Sequence, residues 1–512
     1  MPFLPLPRWA LPLLAGALGL VHTLAFAPWH LPALQVLALA GLFALTTQVE
    51  RARGAALLGL AFGLGWFGLG VSWVYISMHE YGAMPAVLAA LATAAFCLFL
   101  ALYPALALGL AQRAPVPVRL ALVLPAAWAG AEWLRGTLFT GFPWLASGYA
   151  HSDGPLAGWA PLAGVYGMTL IAALVAGALA LLLAARHARA TTVACSALAV
   201  LLVGAGQLLR GVAWTEPDGP PIAVRLIQGN VPQDLKFTDG GLEKTFSANT
   251  RLLAGPRVDL AVMPESVFPL PLHLLPDTVT DRLLGFTREH GSALIFGVFI
   301  EQPPGRYYNS AVGLDPRGGR AGVPPLQRYS KRHLVPFGEF IPWGFRWFVD
   351  LMQMPIGDQE RGAPYQGPME LAGQRIAVNI CYEDLFGAEI IRAWQDPKRA
   401  PTLLLNLSNL AWFNDSIALD QHLQISRLRA LETGRPMLRA TNTGATAVID
   451  TRGQVTARLP YLSAAALEAT VRGYRGTTPY VRHGDWPALA AIALGLLCGL
   501  LLGRRGGRPA LR

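Results

Sequence analysis

The chain has 512 residues, of which 53% are hydrophobic and only 14% charged, and its mean hydropathy is +0.40. That balance excludes an ordinary soluble protein and points to one integral to a membrane. The formal charge of +10 does not mark a nucleic-acid partner, because the basic residues do not gather with interleaved aromatics on any one element.

In chain order, seven apolar runs long enough to span a bilayer come first, over about 9–26, 32–49, 55–78, 84–112, 118–135, 158–184 and 191–209. Residues 1–27 also read as a cleaved signal peptide, since Arg8, an apolar run and Ala25-Phe26-Ala27 resemble its three regions. Gly59 and Gly63 stand at GxxxG spacing, which fits either close helix packing or the general glycine enrichment of membrane helices. His79-Glu80 opens like a zinc-binding HExxH, but position 83 is Ala. Residues 211–486 are much more polar, and an eighth apolar run follows at about 487–503.

Cytoplasmic loops retain Lys and Arg. Arg8, Arg51, Arg53, Arg113, Arg119, Arg186, Arg189, Arg504, Arg505, Arg508 and Arg512 all fall on one face of an alternating path, and the opposite short loops offer only Arg135. The expected organisation is a seven-helix transmembrane bundle over 1–210, an extracytoplasmic catalytic domain over 211–486, and an eighth span with a basic cytoplasmic tail over 487–512. Within the insert, AVRLIQGN, DLAVMPES, ALIFGVFI, YYNSAVGL, RIAVNICYED, TLLLNLSN and PMLRATNTG read as strands. Their near-continuous apolar character implies sheets buried on both faces, covered by helices such as DQHLQISRLRALETG in a layered α/β domain.

Polar residues follow several of these strands: Glu265, Cys381, Asn406 and Ser408. Strand ends in α/β domains project into a common crevice. The loop SKRHLVPFGEF adds Lys331 and Glu339. Of the four cysteines, Cys97, Cys195 and Cys498 lie in apolar runs, so Cys381 has no partner for a disulfide within its domain. It reads either as a small buried hydrophobe or as a nucleophile. Two acids, Glu383 and Asp384, follow it and disfavour a thiolate, so a nucleophile here needs a base and a compensating cation. Glu265 and Lys331 have that chemistry. Each also has a plainer reading: a helix-terminal acid for Glu265, a surface charge for Lys331, a turn residue for Glu339, solvent-facing acids after Cys381, and backbone-satisfying groups for Asn406 and Ser408. His333 and Asn309 read as structural.

Taken together, MPES, YSKRHLVPFGEF, NICYED, NLSNLAWF and QHLQISRLRALETGRPMLRATNTG, with eight apolar spans, resemble the apolipoprotein N-acyltransferase family of the nitrilase (carbon–nitrogen hydrolase) superfamily. The resemblance covers essentially the whole chain. It implies an αββα sandwich with a triad of Glu265 as base, Lys331 as oxyanion stabiliser and Cys381 as nucleophile, supported by Glu339, Tyr382 and Glu383. It implies transfer of an acyl chain from a membrane phospholipid, through a cysteine thioester, to the N-terminal diacylglyceryl-cysteine of a lipoprotein. The implied location is the bacterial inner membrane, with catalysis on the periplasmic side. Phe237 stands where the family usually has Trp, and Leu410 where it usually has Asp.

Substrate contacts are expected at Phe237, Trp412 and the segment PWGFRWFVDLMQMPIG, which supplies Trp343, Phe345, Trp347, Phe348, Leu351, Met352 and Met354. That segment reads either as an interfacial lid or as an ordinary buried helix. No metal or organic cofactor is implied, and a monomer is expected. A membrane-tethered amidase would share the triad but leave eight spans without a role. A transporter would need ionisable residues inside the spans, where Glu132 and Arg135 sit only near a helix end.

Overall fold

The computed structural model describes residues 6–184, 189–234, 239–316, 326–351 and 358–506. They form two compact units, one of residues up to 75, 86–212 and from 482 onward, the other of residues 76–85 and 213–481.

The first unit is helical because its sequence offers long Ala/Leu runs almost free of charge. Each of the eight apolar runs coincides with helix: Ala10–Thr23, Pro32–Leu45, Ala52–Gly70, Ala86–Ala111, Leu124–Arg135, Ala160–Ala184, Arg189–Leu209 and Trp486–Gly506. Among the described residues, four segments are able by length and composition to cross a membrane, namely Ala52–Gly70, Ala86–Ala111, Pro155–Leu183 and Ala190–Leu209; Ala10–Thr23, Pro32–Gln48 and Trp486–Leu502 are apolar but shorter. The expected fifth span is helical without interruption over 116–135, with a π turn, Arg119–Val123, between Val116–Val118 and the twelve-residue Leu124–Arg135. Leu13, Leu37, Val87, Leu102, Val200 and Leu208 point outward, which inverts the pattern of a water-soluble bundle. Glu132 and Arg135 are buried and bonded locally: Glu132 accepts the Ser147 N–H at 2.7 Å, and Arg135 donates to the carbonyls of Phe142 at 2.6 Å and Trp144 at 2.7 Å. They serve the packing of the bundle.

Gly59 and Gly63 decide between their two readings. A Cβ on Gly63 would stand 2.7 Å from Ala101 Cα, and one on Gly59 would collide with the Pro104 carbonyl. Two helices therefore touch backbone to backbone along this stripe.

The second unit holds two sheets. Strands β1 (Thr215–Gln228), β2 (Leu260–Val262), β3 (Phe268–Pro271), β4 (Ala293–Glu301), β5 (Tyr307–Leu314) and β6 (Leu326–Ser330) belong to the first; β7 (Met369–Leu371), β8 (Gln374–Ile380), β9 (Leu403–Ser408), β10 (Met437–Thr441), β11 (Ala447–Ile449) and β12 (Val455–Arg458) form the second. β13 (Ala465–Gly476) returns to the first sheet beside β1, so its order is β13-β1-β2-β4-β5-β6 with β3 on β4; the second runs β12-β11-β10-β9-β8-β7. Central pairs β1-β2-β4 and β8-β9-β10 are parallel. The sheets face each other through Val224, Leu226, Val262 and Ile295 on one side and Ile376, Val378, Leu405 and Leu438 on the other. Helices Asp239–Arg251 and Asp277–His290 cover the outer face of the first sheet, where Phe246, Leu283 and Phe286 meet Phe268 and Phe296. Ala418–Thr433 covers the second through Leu423 and Ala430. The result is the expected four-layer αββα sandwich. Both long covering helices, Asp277–His290 and Ala418–Thr433, end on a left-handed glycine, Gly291 and Gly434, the conformation that closes a helix with least strain.

All seven predicted strands are present. The other six carry no clear strand signal because they are short or polar: β13, AALEATVRGYRG, is largely solvent-facing and carries Glu468, Arg472 and Arg475. The close helix contact yields a test. Gly63→Ala should lower the unfolding midpoint of the full chain in detergent, by an overpacking cost of about 1–3 kcal/mol. Gly68→Ala, with no atom within 4 Å of the added methyl, should not.

Candidate active site

The three predicted triad residues sit in loops directly beyond strand ends: Glu265 after β2, Lys331 after β6 and Cys381 after β8. Lys331 is the hub. Its Nζ lies 3.2 Å from Glu265 Oε1 and 2.8 Å from Glu339 Oε1, and it is 1% exposed. Burial alone would favour a neutral amine, but Glu265 and Glu339 outweigh it and hold the ammonium's pKa well above its ordinary value. The surface readings of Lys331 and Glu339 are thus excluded. Asn309, on β5, bridges the same two oxygens, its Nδ2 donating to Glu265 Oε1 at 2.8 Å and to Glu339 Oε1 at 3.1 Å. The remaining oxygens accept backbone N–H groups, Glu265 Oε2 from Asn409 and Glu339 Oε2 from Val335, both at 2.8 Å. Asn309 therefore belongs to the site, although the sequence marks it only as a lone polar residue in an apolar strand.

Cys381 opens a turn at the end of β8 with φ +52°, a conformation that non-glycine residues adopt only when their surroundings impose it. Burial pushes its thiol up and Glu265 adds to the effect, with Lys331 offsetting part. Two carboxylates against one ammonium leave surplus negative charge, so the resting sulfur is a neutral thiol. Its carbonyl accepts from Asn406 Nδ2 at 3.3 Å and faces His422 Nε2 at 3.2 Å. Asn406 and Ser408 thus hold the turn from behind and do not reach into the crevice.

The acids beside the thiol are buried. Glu383 accepts the N–H groups of Ile380 and Arg332 at 2.7 Å and of His333 at 3.1 Å, and the Tyr329 hydroxyl at 3.0 Å. It ties the Lys331 loop to the cysteine turn. Burial raises its pKa to about 7, against the pull of those N–H donors. Asp384 pairs with Arg439 at 3.1 Å. Both solvent-facing readings are corrected: Glu383 terminates backbone N–H groups that would otherwise be unpaired, and Asp384 neutralises a buried guanidinium. The Tyr382 ring packs on His333 and Phe386, and His333 contacts Glu389 at 3.2 Å, which keeps its structural reading.

Of the expected substrate contacts, Phe237, Met352 and Met354 lie outside the described residues, as does the Phe348 side chain. Trp343 is 98% exposed and Trp347 65%, beside the exposed Phe337–Phe345 pair at 5.2 Å between ring centroids. The helix here, Arg346–Leu351, runs to the edge of the described residues, and Val349 within it is buried. Trp412 packs edge-on against Tyr81 at 5.8 Å, and Tyr81 and Glu80 both bond Asn414. Leu410 is buried, where an Asp would need a buried partner. Gln233 accepts from Asn409 Nδ2 at 2.8 Å, so the loop leading to Phe237 is fastened to the loop after β9.

Residues 18–178 match the model of the apolipoprotein N-acyltransferase N-terminal domain, and residues 203–480 match that of carbon–nitrogen hydrolase. The chain is 52% identical to the apolipoprotein N-acyltransferase of Ralstonia nicotianae over 505 residues, covering 98% of this chain and 95% of that protein. It is 44% identical to those of Bordetella bronchiseptica, over 98% of this chain and 99% of that protein, and Nitrosomonas europaea, over 97% and 98%. Among solved structures it is similar to the C. elegans NitFhit protein, at 18% identity and TM-score 0.38 over 56% of this chain and 65% of that one. It is also similar to a carbon–nitrogen hydrolase from Helicobacter pylori, at 15% and 0.37 over 55% and 98%. By its near full-length likeness to these relatives, the chain belongs to the apolipoprotein N-acyltransferase family, with a carbon–nitrogen hydrolase domain as its polar half.

Proposed function

We propose that this protein moves a fatty acyl chain from a membrane phospholipid to the α-amino group of an N-terminal diacylglyceryl-cysteine on a lipoprotein, through a thioester on Cys381. The observation that carries the mechanism is the buried Lys331 held between Glu265 and Glu339 at the strand ends that also present Cys381. In the first half-reaction the Cys381 sulfur attacks the ester carbonyl while Glu265 takes the thiol proton. The Lys331 ammonium and the Tyr382 N–H stabilise the tetrahedral oxyanion. Collapse breaks the ester C–O bond, and Glu265 returns its proton to the leaving lysophospholipid oxygen. In the second, the neutral amine attacks the thioester, Glu265 accepts a proton from the nitrogen, and the departing sulfur recovers it as a thiol. Glu339 and Asn309 orient Lys331 and Glu265. Glu383 ties the two loops together.

The eight apolar helices are read as eight spans, with the N-terminus and the Arg-rich tail cytoplasmic and residues 211–486 in the periplasm of a bacterial inner-membrane protein acting as a monomer. The alternation of arginines supports that orientation. Both substrates are lipid-anchored, and the exposed Trp343, Phe345 and Trp347 suit the bilayer interface, where aromatic rings are favoured. A hydrolytic amidase would need neither feature.

Intact-protein mass spectrometry after incubation with phospholipid should show a fatty-acyl adduct that hydroxylamine removes and that Cys381→Ala lacks; free fatty acid in place of N-acylated peptide would favour the amidase. Trp343→Ser with Trp347→Ser should slow turnover of vesicle-embedded substrate about tenfold while sparing a short-chain, water-soluble ester; equal rates on vesicles would reject the interfacial role. Glu383 predicts a pH effect. Its folded pKa of about 7 exceeds the unfolded carboxylate's, so the folded state keeps a proton that the unfolded chain releases. Its stability contribution is complete below the unfolded value and is lost as pH rises through 7. The stability difference between wild type and Glu383→Gln should accordingly shift against wild type from pH 5 to pH 8, by on the order of 2–3 kcal/mol.

A further inference from the structure

The carbonyl of Cys381 is gripped by two side chains that the mechanism above does not use. His422 Nε2 lies 3.2 Å from it and Asn406 Nδ2 3.3 Å. The other imidazole nitrogen, His422 Nδ1, lies 2.9 Å from an Arg439 guanidinium nitrogen. A guanidinium only donates. Nδ1 must therefore accept, and the single proton of the neutral ring sits on Nε2, aimed at the carbonyl. Arg439 is itself held at 3.1 Å by Asp384, and Ser426 bonds both. Burial, then Arg439, keep His422's pKa well below its ordinary value, so the ring stays neutral. Asn406 is oriented as firmly. The Ser408 hydroxyl donates to its Oδ1 at 2.6 Å, which leaves Nδ2 for Asn379 Oδ1, also at 2.6 Å, and for the Cys381 carbonyl. His422, Asn406, Ser408, Arg439 and Asp384 are all fully buried.

A trans peptide is planar, so the C=O of Cys381 and the N–H of Tyr382 are opposite ends of one rigid unit and point in opposite directions. Fixing the carbonyl from behind fixes where that N–H points. Two donors on the oxygen also polarise the unit and strengthen the N–H as a donor. The left-handed φ of Cys381 makes such a grip necessary, because the turn would otherwise relax.

We propose that His422 and Asn406 are positioning residues that aim and polarise the Cys381–Tyr382 peptide toward the developing oxyanion, with Arg439 selecting the His422 tautomer. The inference rests on the reading of the Tyr382 N–H as an oxyanion donor. His422→Leu and His422→Gln in the full chain test it. Gln mimics the required tautomer, since its oxygen accepts from Arg439 and its Nε2 donates to the carbonyl. Two rates are compared: single-turnover acylation of Cys381 by phospholipid, and alkylation of the Cys381 peptide by iodoacetamide, a displacement that forms no tetrahedral oxyanion. His422→Leu should slow acylation at least about tenfold, keep alkylation within about twofold of wild type, and be largely rescued by Gln. Acylation and alkylation falling together, a Gln variant as slow as Leu, or a Leu variant as fast as wild type would each overturn the inference. A wild-type protein that forms no thioester while its thiol still alkylates would sink the proposed function itself, and this inference with it.

Discussion

The second unit is organised around one ammonium group. Lys331 Nζ lies between two carboxylates in a pocket that water hardly enters. Without it, Glu265 and Glu339 would face each other as like charges in a low-dielectric setting, and breaking such a buried pair costs about 3–5 kcal/mol. With it, the stretch after β2 and the loop after β6 are bound at a single point. The same arrangement sets the chemistry. Because one cation serves two anions, the sulfur beside them stays protonated, and in the proposed mechanism its proton leaves only at the moment of attack.

The topology explains how such a cluster is assembled from a layered fold. The first sheet supplies Glu265, Asn309 and Lys331 from β2, β5 and β6; the second supplies Cys381 and Asn409 from β8 and β9. The proposed base and cation therefore come from one layer and the proposed nucleophile from the other. Their relative position is set by the apolar contact between the sheets, and two hydrogen-bonded seams carry that register to the site. One is the Asn409 N–H on Glu265 Oε2. The other is Glu383 on the N–H groups of Arg332 and His333. A shift of one sheet over the other would break both seams at once, so core packing and catalytic geometry form one constraint.

What was legible in the sequence follows from this construction. Strand ends are visible because apolar runs stop at polar residues, so Glu265, Cys381 and the Lys331 loop stood out. The partners were not. Asn309 lies within a strand and acts on residues 44 and 30 positions away, and nothing local distinguishes it from an amide that satisfies a backbone group. Glu383 and Asp384 read as solvated because acids usually are; only the folded chain gives them buried tasks, Glu383 on the N–H groups of Ile380, Arg332 and His333, and Asp384 on Arg439 and Ser426. The left-handed φ of Cys381 left no mark either, since Cys is not a residue chosen for that region. β13 is not legible because its partner β1 is far away in sequence, with Leu226 opposite Leu467, and its charged residues speak of solvent.

The exposed aromatics complete the argument on a different scale. A tryptophan as open as Trp343 leaves apolar area uncovered that is worth a few kcal/mol if withdrawn from water, and Phe337, Phe345 and Trp347 lie on the same stretch of chain. A stable soluble fold would bury such a cluster or replace it. In the proposed reading the bilayer interface covers it, so the segment that follows Glu339 by four residues joins the lipid at one end and the Lys331 cluster at the other. Water is then excluded at the mouth of the crevice by acyl chains, and the thioester meets the amine carried in with its own lipid anchor. Transfer over hydrolysis becomes a matter of access: the triad itself does not discriminate between an amine and a water molecule, whereas a greasy entrance does.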